Sequence, residues 1–247
     1  MEKLTYVVWR DAHEPDEVFN TRLLRDLSAE LQALGAARLS INVIDQAVAA
    51  GAPLRQECTR PTPSGLVSFW LNSAHVRAPL EAALQAAAPR IAGYAVTEST
   101  ALPNIARAQD GVRTAGFSQV ALITKPPRLT YEGWLEIWLR DQTKIAVETQ
   151  STFYYCQNIV NRVLTAGAPI FASIVEECFP TEAMSDPKAF YEARDQAEFD
   201  QRLDRMMTSC GRFIDMDKID VLITSEFRFG GWADNKTQPM YESDRKL

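Results

Sequence analysis

Residues 130–158 read TYEGWLEIWLRDQTKIAVETQSTFYYCQN, and this stretch holds a helix followed by a strand. Thr130 is a good N-cap, because its hydroxyl can accept from a free backbone N–H of the first turn. Trp134, Leu135, Ile137, Trp138, Leu139, Ile145 and Ala146 then fall on one broad apolar stripe at about 100° per residue. Gln142 lies near the middle of that stripe, where a half-buried amide needs partners. Phe153, Tyr154 and Tyr155 suit a strand over residues 151–160.

Working outward, a strand over residues 118–124 precedes this helix, and a strand over 170–176, a helix over 187–210 and a last strand over 219–227 follow it. The first half reads in the same order. Strands at residues 4–9, 37–44, 66–71 and 91–102 enclose helices at 15–34 and 76–88. Residues 49–64, rich in Pro, Gly and polar side chains, read as a loop. Leu24-Arg25-Asp26 matches Leu139-Arg140-Asp141 at an offset of 115, so the two halves read as an internal repeat. Each is a βαββαβ unit of the ferredoxin-like kind. Its antiparallel sheet carries helices on one face only, and a second copy can cover the other.

The expected architecture is therefore α+β. Two ferredoxin-like units, residues 1–103 and 117–229, pack sheet to sheet as a dimeric α+β barrel within one chain. Residues 104–116 are the linker and 230–247 a polar tail. The ligand space is expected between the two sheets, lined by strand residues that point away from the helices.

The stretch also carries a resemblance. Trp134-x-x-x-Trp138-x-x-x-Gln142, then Tyr155, Gln157 and Asn158, resembles the EthD family pattern, with Gln142 where that family usually has histidine. Glu176-Glu177-Cys178-Phe179, followed by Pro180-Thr181-Glu182-Ala183, resembles the acidic strand end of the same family, and Glu176 matches its acidic position. The resemblance covers residues 117–229 and implies the dimeric α+β barrel, here with both halves in one chain as an intrachain pseudo-dimer. Further pairing of whole chains is left open.

Candidate site residues follow. Glu176 is the candidate acid or base, since a carboxylate on a pocket face can have a raised pKa; its other reading is a rim carboxylate or ion-pair partner. Gln142 either meets a bound polar group or is satisfied by backbone. Tyr155, Asn158 and Trp138 are the remaining candidates for substrate contact, each with a packing role as the alternative. Glu177 has the opposite strand parity from Glu176, so only one of the two can face a pocket. Glu226 and Arg228 lie on a polar strand face that either lines the pocket or is a solvated edge, the edge being the preferred reading.

Composition narrows the class. Hydrophobic content of 46% and charged content of 23% suit a globular protein. The net charge of −6 argues against nucleic acid as a partner. No apolar run is long enough to span a bilayer. The N-terminal stretch has no apolar signal segment, and cytoplasmic placement is expected. The four cysteines lack C-x-x-C spacing and read as reduced thiols. With His13 and His75 isolated, no metal, haem or other cofactor is expected. Within these bounds the EthD resemblance implies two functions: a cofactor-free lyase, isomerase or oxygenase acting on a hydrophobic organic acid or an aromatic, polyketide-like compound, or a non-catalytic binding or accessory protein of a catabolic pathway.

Overall fold

The computed structural model describes residues 1–106 and 108–230; most of the expected tail lies outside the described residues. Eight strands run β1 (Glu2–Trp9), β2 (Ala37–Val43), β3 (Gly65–Leu71), β4 (Arg90–Leu102), β5 (Phe117–Ile123), β6 (Tyr154–Val163), β7 (Ser173–Phe179) and β8 (Asp220–Phe229). The helices are α1 (residues 16–33), α2 (Ala78–Ala87), α3 (residues 131–149), the short α4 (Pro187–Phe190) and α5 (Gln196–Phe213). Thr130 caps α3, its hydroxyl accepting from Gly133 N at 3.1 Å. Both long βα helices carry a π-helical segment, Arg22–Leu27 in α1 and Glu136–Gln142 in α3.

The strands form one closed antiparallel barrel in the order β1-β3-β2-β8-β5-β7-β6-β4. This is the expected α+β barrel, with one correction. The two sheets do not meet through their faces alone. They are hydrogen-bonded at two seams, β2 to β8 and β4 to β6, so the halves share a continuous sheet. Each ferredoxin-like sheet has two free edges, and pairing them satisfies backbone groups that would otherwise be left open. The same pairing corrects the edge reading of β8. That strand has β2 on one side and β5 on the other, and its Glu226 and Arg228 are buried at 2% and 7% exposure. The crossing segment also joins β8, with Gly111 N and Thr114 N donating to the carbonyls of Arg228 and Glu226.

Strand alternation separates two environments. On the outer face of the first half, Leu4, Tyr6 and Val8 pack with Phe19, Leu23 and Leu27 of α1 and with Leu80 and Leu84 of α2. Inside the barrel, one end is apolar, formed by Val7, Leu66, Tyr94, Val120, Leu122, Ile174 and Leu222. The other end is a buried polar network. Lys3 Nζ lies 2.6 Å from Glu98 and 3.2 Å from Glu176. Asn158 Nδ2 donates to Glu176 at 3.0 Å and Asn42 Nδ2 at 3.4 Å, while Thr224 donates to Asn42 at 3.1 Å. Burial alone would lower the pKa of the Lys3 ammonium, but Cys156, Glu176 and Glu98 around it raise it overall.

The Lys3 charge therefore holds two carboxylates inside the barrel. Removing one partner of a buried pair leaves the other uncompensated, at a cost of about 3–5 kcal/mol. Lys3→Met should lower the unfolding free energy by about that amount in urea titration. Glu98→Gln should cost less, because the Glu98 side chain is 13% exposed and Glu176 would still balance Lys3.

Candidate active site

Outward from the barrel wall, the second half differs from the first. Cross-strand register places Gln119, Glu177 and Tyr155 side by side on β5, β7 and β6, facing the helices. Above them lie Trp138, Gln142 and Ala146 of α3, Met206, Cys210 and Phe213 of α5, and Met184 and Phe190 of the segment between β7 and α5. Between the two layers is a cavity of about 500 Å³. Where the second half has this opening, the first half has the packed side chains of α1 and α2, with Leu27 buried at the position that matches Gln142.

A third wall comes from the first half. The connection from β2 to β3 forms a 3-10 segment, Gln46–Leu54, that crosses β8 and presents Ala50, Pro53 and Leu54 to the cavity. It is fastened at both ends. Asp45 caps its start and accepts from Ser225 Oγ at 2.8 Å. At the other end, Gln56 and Val221 exchange both backbone hydrogen bonds, and Asp220 accepts from the backbone N–H groups of Cys58 and Thr59, each at 2.8 Å. Gly51 lets the strap lie flat, since a Cβ there would come within 2.7 Å of Ile223 Cγ2.

The cavity is on the helix side of the sheet, and this corrects the expectation of a ligand space between the sheets. It also divides the candidate residues. Trp138, Gln142 and Tyr155 line the cavity. Glu176 and Asn158 do not: both belong to the Lys3 network inside the barrel, 2% and 0% exposed. The carboxyl on the cavity is Glu177, which sequence reasoning set aside. A signal for it exists. In the helix-facing series Phe117, Gln119, Ala121, Ile123 and Val175, Glu177, Phe179, one polar residue interrupts each otherwise apolar run, at paired positions.

Several polar atoms of the cavity wall have no protein partner. Glu177 Oε2 accepts from Gln119 Nε2 at 3.3 Å, but Oε1 is unpaired. Gln142 Nε2 donates to the sulfur of Met206 at 3.0 Å, and its Oε1 is unpaired. The Trp138 indole N–H is close enough to Tyr155 to pull down the phenol's pKa, yet makes no well-formed hydrogen bond. Burial pushes the Glu177 carboxyl up to about 7, and the bond from Gln119 works against this. Burial likewise raises the Tyr155 hydroxyl, with Glu177 adding to it, and pushes the Cys210 thiol up to about 12. Among the described residues no Lys, Arg or His lines the cavity. The wall is therefore uncharged while Glu177 is protonated and carries one negative charge once it ionises.

His13 and His75 are both exposed and away from the cavity, so neither is placed to ligate a haem iron there. Among the described residues no group of three or more His, Cys, Asp or Glu side chains is placed to hold a metal ion. The four cysteines are free. No described helix is long and apolar enough to cross a membrane.

No family model matches the sequence, and no curated protein matches it. Solved structures do. An anthrone oxidase-like protein superposes with a TM-score of 0.55 at 8% identity, over 93% of this chain and 94% of that one. A protein of Fusobacterium nucleatum provisionally assigned as a monooxygenase gives 0.49 at 11% identity, over 93% and 94%. One provisionally assigned as a chlorite dismutase gives 0.46 at 12% identity, over 92% and 95%. At such identities the likeness is one of fold, and the first of the three supports the dimeric α+β barrel.

The raised Glu177 pKa has a signature in stability. Between pH 4.5 and about 7 the folded protein keeps a proton that the unfolded chain has lost. Stability from this group is thus full below that window, falls as pH rises through it, and levels off above it. The whole loss is about 3 kcal/mol. Glu177→Gln removes the titration, so its stability relative to the unsubstituted protein should rise across this window and be flat at higher pH. Chemical denaturation at a series of pH values measures the difference.

Proposed function

We propose that the chain is a cofactor-free enzyme that moves a proton on a small hydrophobic compound held beneath α3 and α5, with Glu177 as the acid or base. The observation that carries this reading is the Glu177 carboxyl itself. It is buried in a cavity wall, half unpaired, and poised near 7. A general base works best when its pKa lies near the working pH. Few structural reasons hold an unpaired carboxyl in such a place, and perturbed groups of this kind concentrate at functional sites.

Lyase, isomerase and cofactor-free oxygenase chemistry can each begin with the same step. The Glu177 carboxylate takes a proton from an activated carbon or a hydroxyl of the substrate, leaving the electron pair on the substrate. In an isomerisation the proton then returns at another atom, and the balance closes. Trp138 and Tyr155 would position the ring system, and Gln142, whose amide does not titrate, would orient it. The acid or base role read for Glu176 passes to Glu177 in this proposal. Glu176 and Asn158 would act on the site only by holding the barrel wall beneath it. The EthD-like pattern of α3 and β6 supports the same placement, since Trp138, Gln142 and Tyr155 all border the cavity. The name of the anthrone oxidase-like structure suits an aromatic, polyketide-like ligand.

Solvent-deuterium exchange into a panel of aryl ketones and phenols tests the proposal. Exchange should depend on protein and rise with pH to a plateau with an apparent pKa near 7. Glu177→Gln should lower the rate by about 100-fold or more. Ligand binding without exchange by either protein would instead support a non-catalytic binding protein.

A further inference from the structure

We infer that the cavity takes an uncharged compound whose hydroxyl hydrogen is donated to Gln142 Oε1, and that it rejects carboxylated ligands. The inference rests on the site proposed above and narrows its ligand class, since an organic acid and a neutral aromatic compound both suit the cavity by size alone.

Two observations carry it, and neither depends on the reaction. The first is the sign of the unsatisfied atoms. Gln142 Oε1, an acceptor at every pH, has no partner among the described residues and belongs to a side chain only 5% exposed. Glu177 Oε1, likewise unpartnered at 7% exposure, becomes an acceptor only once the carboxyl ionises. Gln142 is held in this orientation by its own Nε2, which is engaged with the sulfur of Met206. A buried acceptor left open is costly, so a ligand that supplies a hydrogen gains the bond and relieves the wall. A site built to bind a hydroxyl in this way strongly disfavours the analogue that lacks it. The second observation is the absence of a countercharge. Among the described residues no Lys, Arg or His lines the cavity, and the one carboxyl that does is Glu177. A bound carboxylate would lose its water without gaining a cation, and above pH about 7 it would face the ionised Glu177 as well. Trp138, Tyr155, Phe190 and Phe213 supply the aromatic contact, and Met184 and Met206 an adaptable one.

Four two-ring probes separate these effects: a naphthol, the corresponding methoxynaphthalene, naphthalene and the naphthoate. Methoxynaphthalene keeps the oxygen and loses the hydrogen. Binding to the full chain at pH 6 and pH 8 is followed by tryptophan quenching and confirmed by calorimetry. The naphthol should bind at least about tenfold more tightly than methoxynaphthalene or naphthalene. The naphthoate should be the weakest of the four, and weaker at pH 8 than at pH 6. At pH 6, where Glu177 is protonated, Gln142→Leu should bring the naphthol close to methoxynaphthalene while leaving naphthalene binding intact, which also shows that the variant is folded. Methoxynaphthalene equal to the naphthol, or naphthoate at least as tight, would overturn the inference using the unsubstituted protein alone. A Gln142→Leu protein that binds naphthalene and at pH 6 still prefers the naphthol to methoxynaphthalene would do the same. These outcomes differ from failure of the enzymatic reading. Naphthol selectivity without any deuterium exchange would sink the enzyme and keep the ligand class. Exchange on a carboxylated substrate would sink the ligand class and keep the enzyme.

Discussion

Everything in this molecule follows from the pairing of two seams. Once β2 bonds to β8 and β4 to β6, no long strand edge is left and the barrel interior is closed. Closure removes the two open edges that each half-sheet would otherwise offer to other chains. It also decides what the interior can be. Polar groups buried there need partners, and Lys3, Glu98, Glu176, Asn42 and Asn158 supply them to one another at one end while apolar packing fills the other. With the inside packed in this way, the cavity lies outside the wall, under a helix.

Only one of the two helix layers makes that room. Leu27 and Gln142 occupy matched places on α1 and α3, and both are buried. In the first half the leucine sits among Phe19, Leu23, Leu31 and Leu84, and the layer is solid. In the second half the amide meets sulfur on one side and space on the other. The same element order thus yields a packed half and a hollow one. What differs is side-chain chemistry at a few positions facing the same sheet.

Much of this was legible in the chain. The apolar stripe and the Thr130 cap gave α3 its place, and the succession of strand and helix patterns gave the α+β class. Parity showed that Glu176 and Glu177 look opposite ways. Parity alone does not say which face holds the cavity, and the expectation of a ligand space between the sheets drew attention to Glu176, whereas the carboxyl bordering the cavity is Glu177. Seam pairing was equally hidden, because alternation on β8 is the same whether the polar face meets water or a closed interior. The strap at residues 46–54 was read only as a loop, since Pro, Gly and small residues mark a turn-rich segment without saying what it lies on. Its docking partners, Val221 and Ser225, are some 170 residues away in sequence.

That strap has a consequence for symmetry. The β2–β3 connection runs over residues 44–64, whereas its counterpart between β6 and β7 spans only 164–172. Two identical chains assembled about a twofold axis must use one loop at both sites, because every contact appears twice. A loop long enough to wall one cavity would be imposed on the other, whether or not anything was there to enclose. A single chain with unlike halves is released from that rule. It can lengthen one connection and shorten its mate, so that a segment of one half walls a cavity of the other.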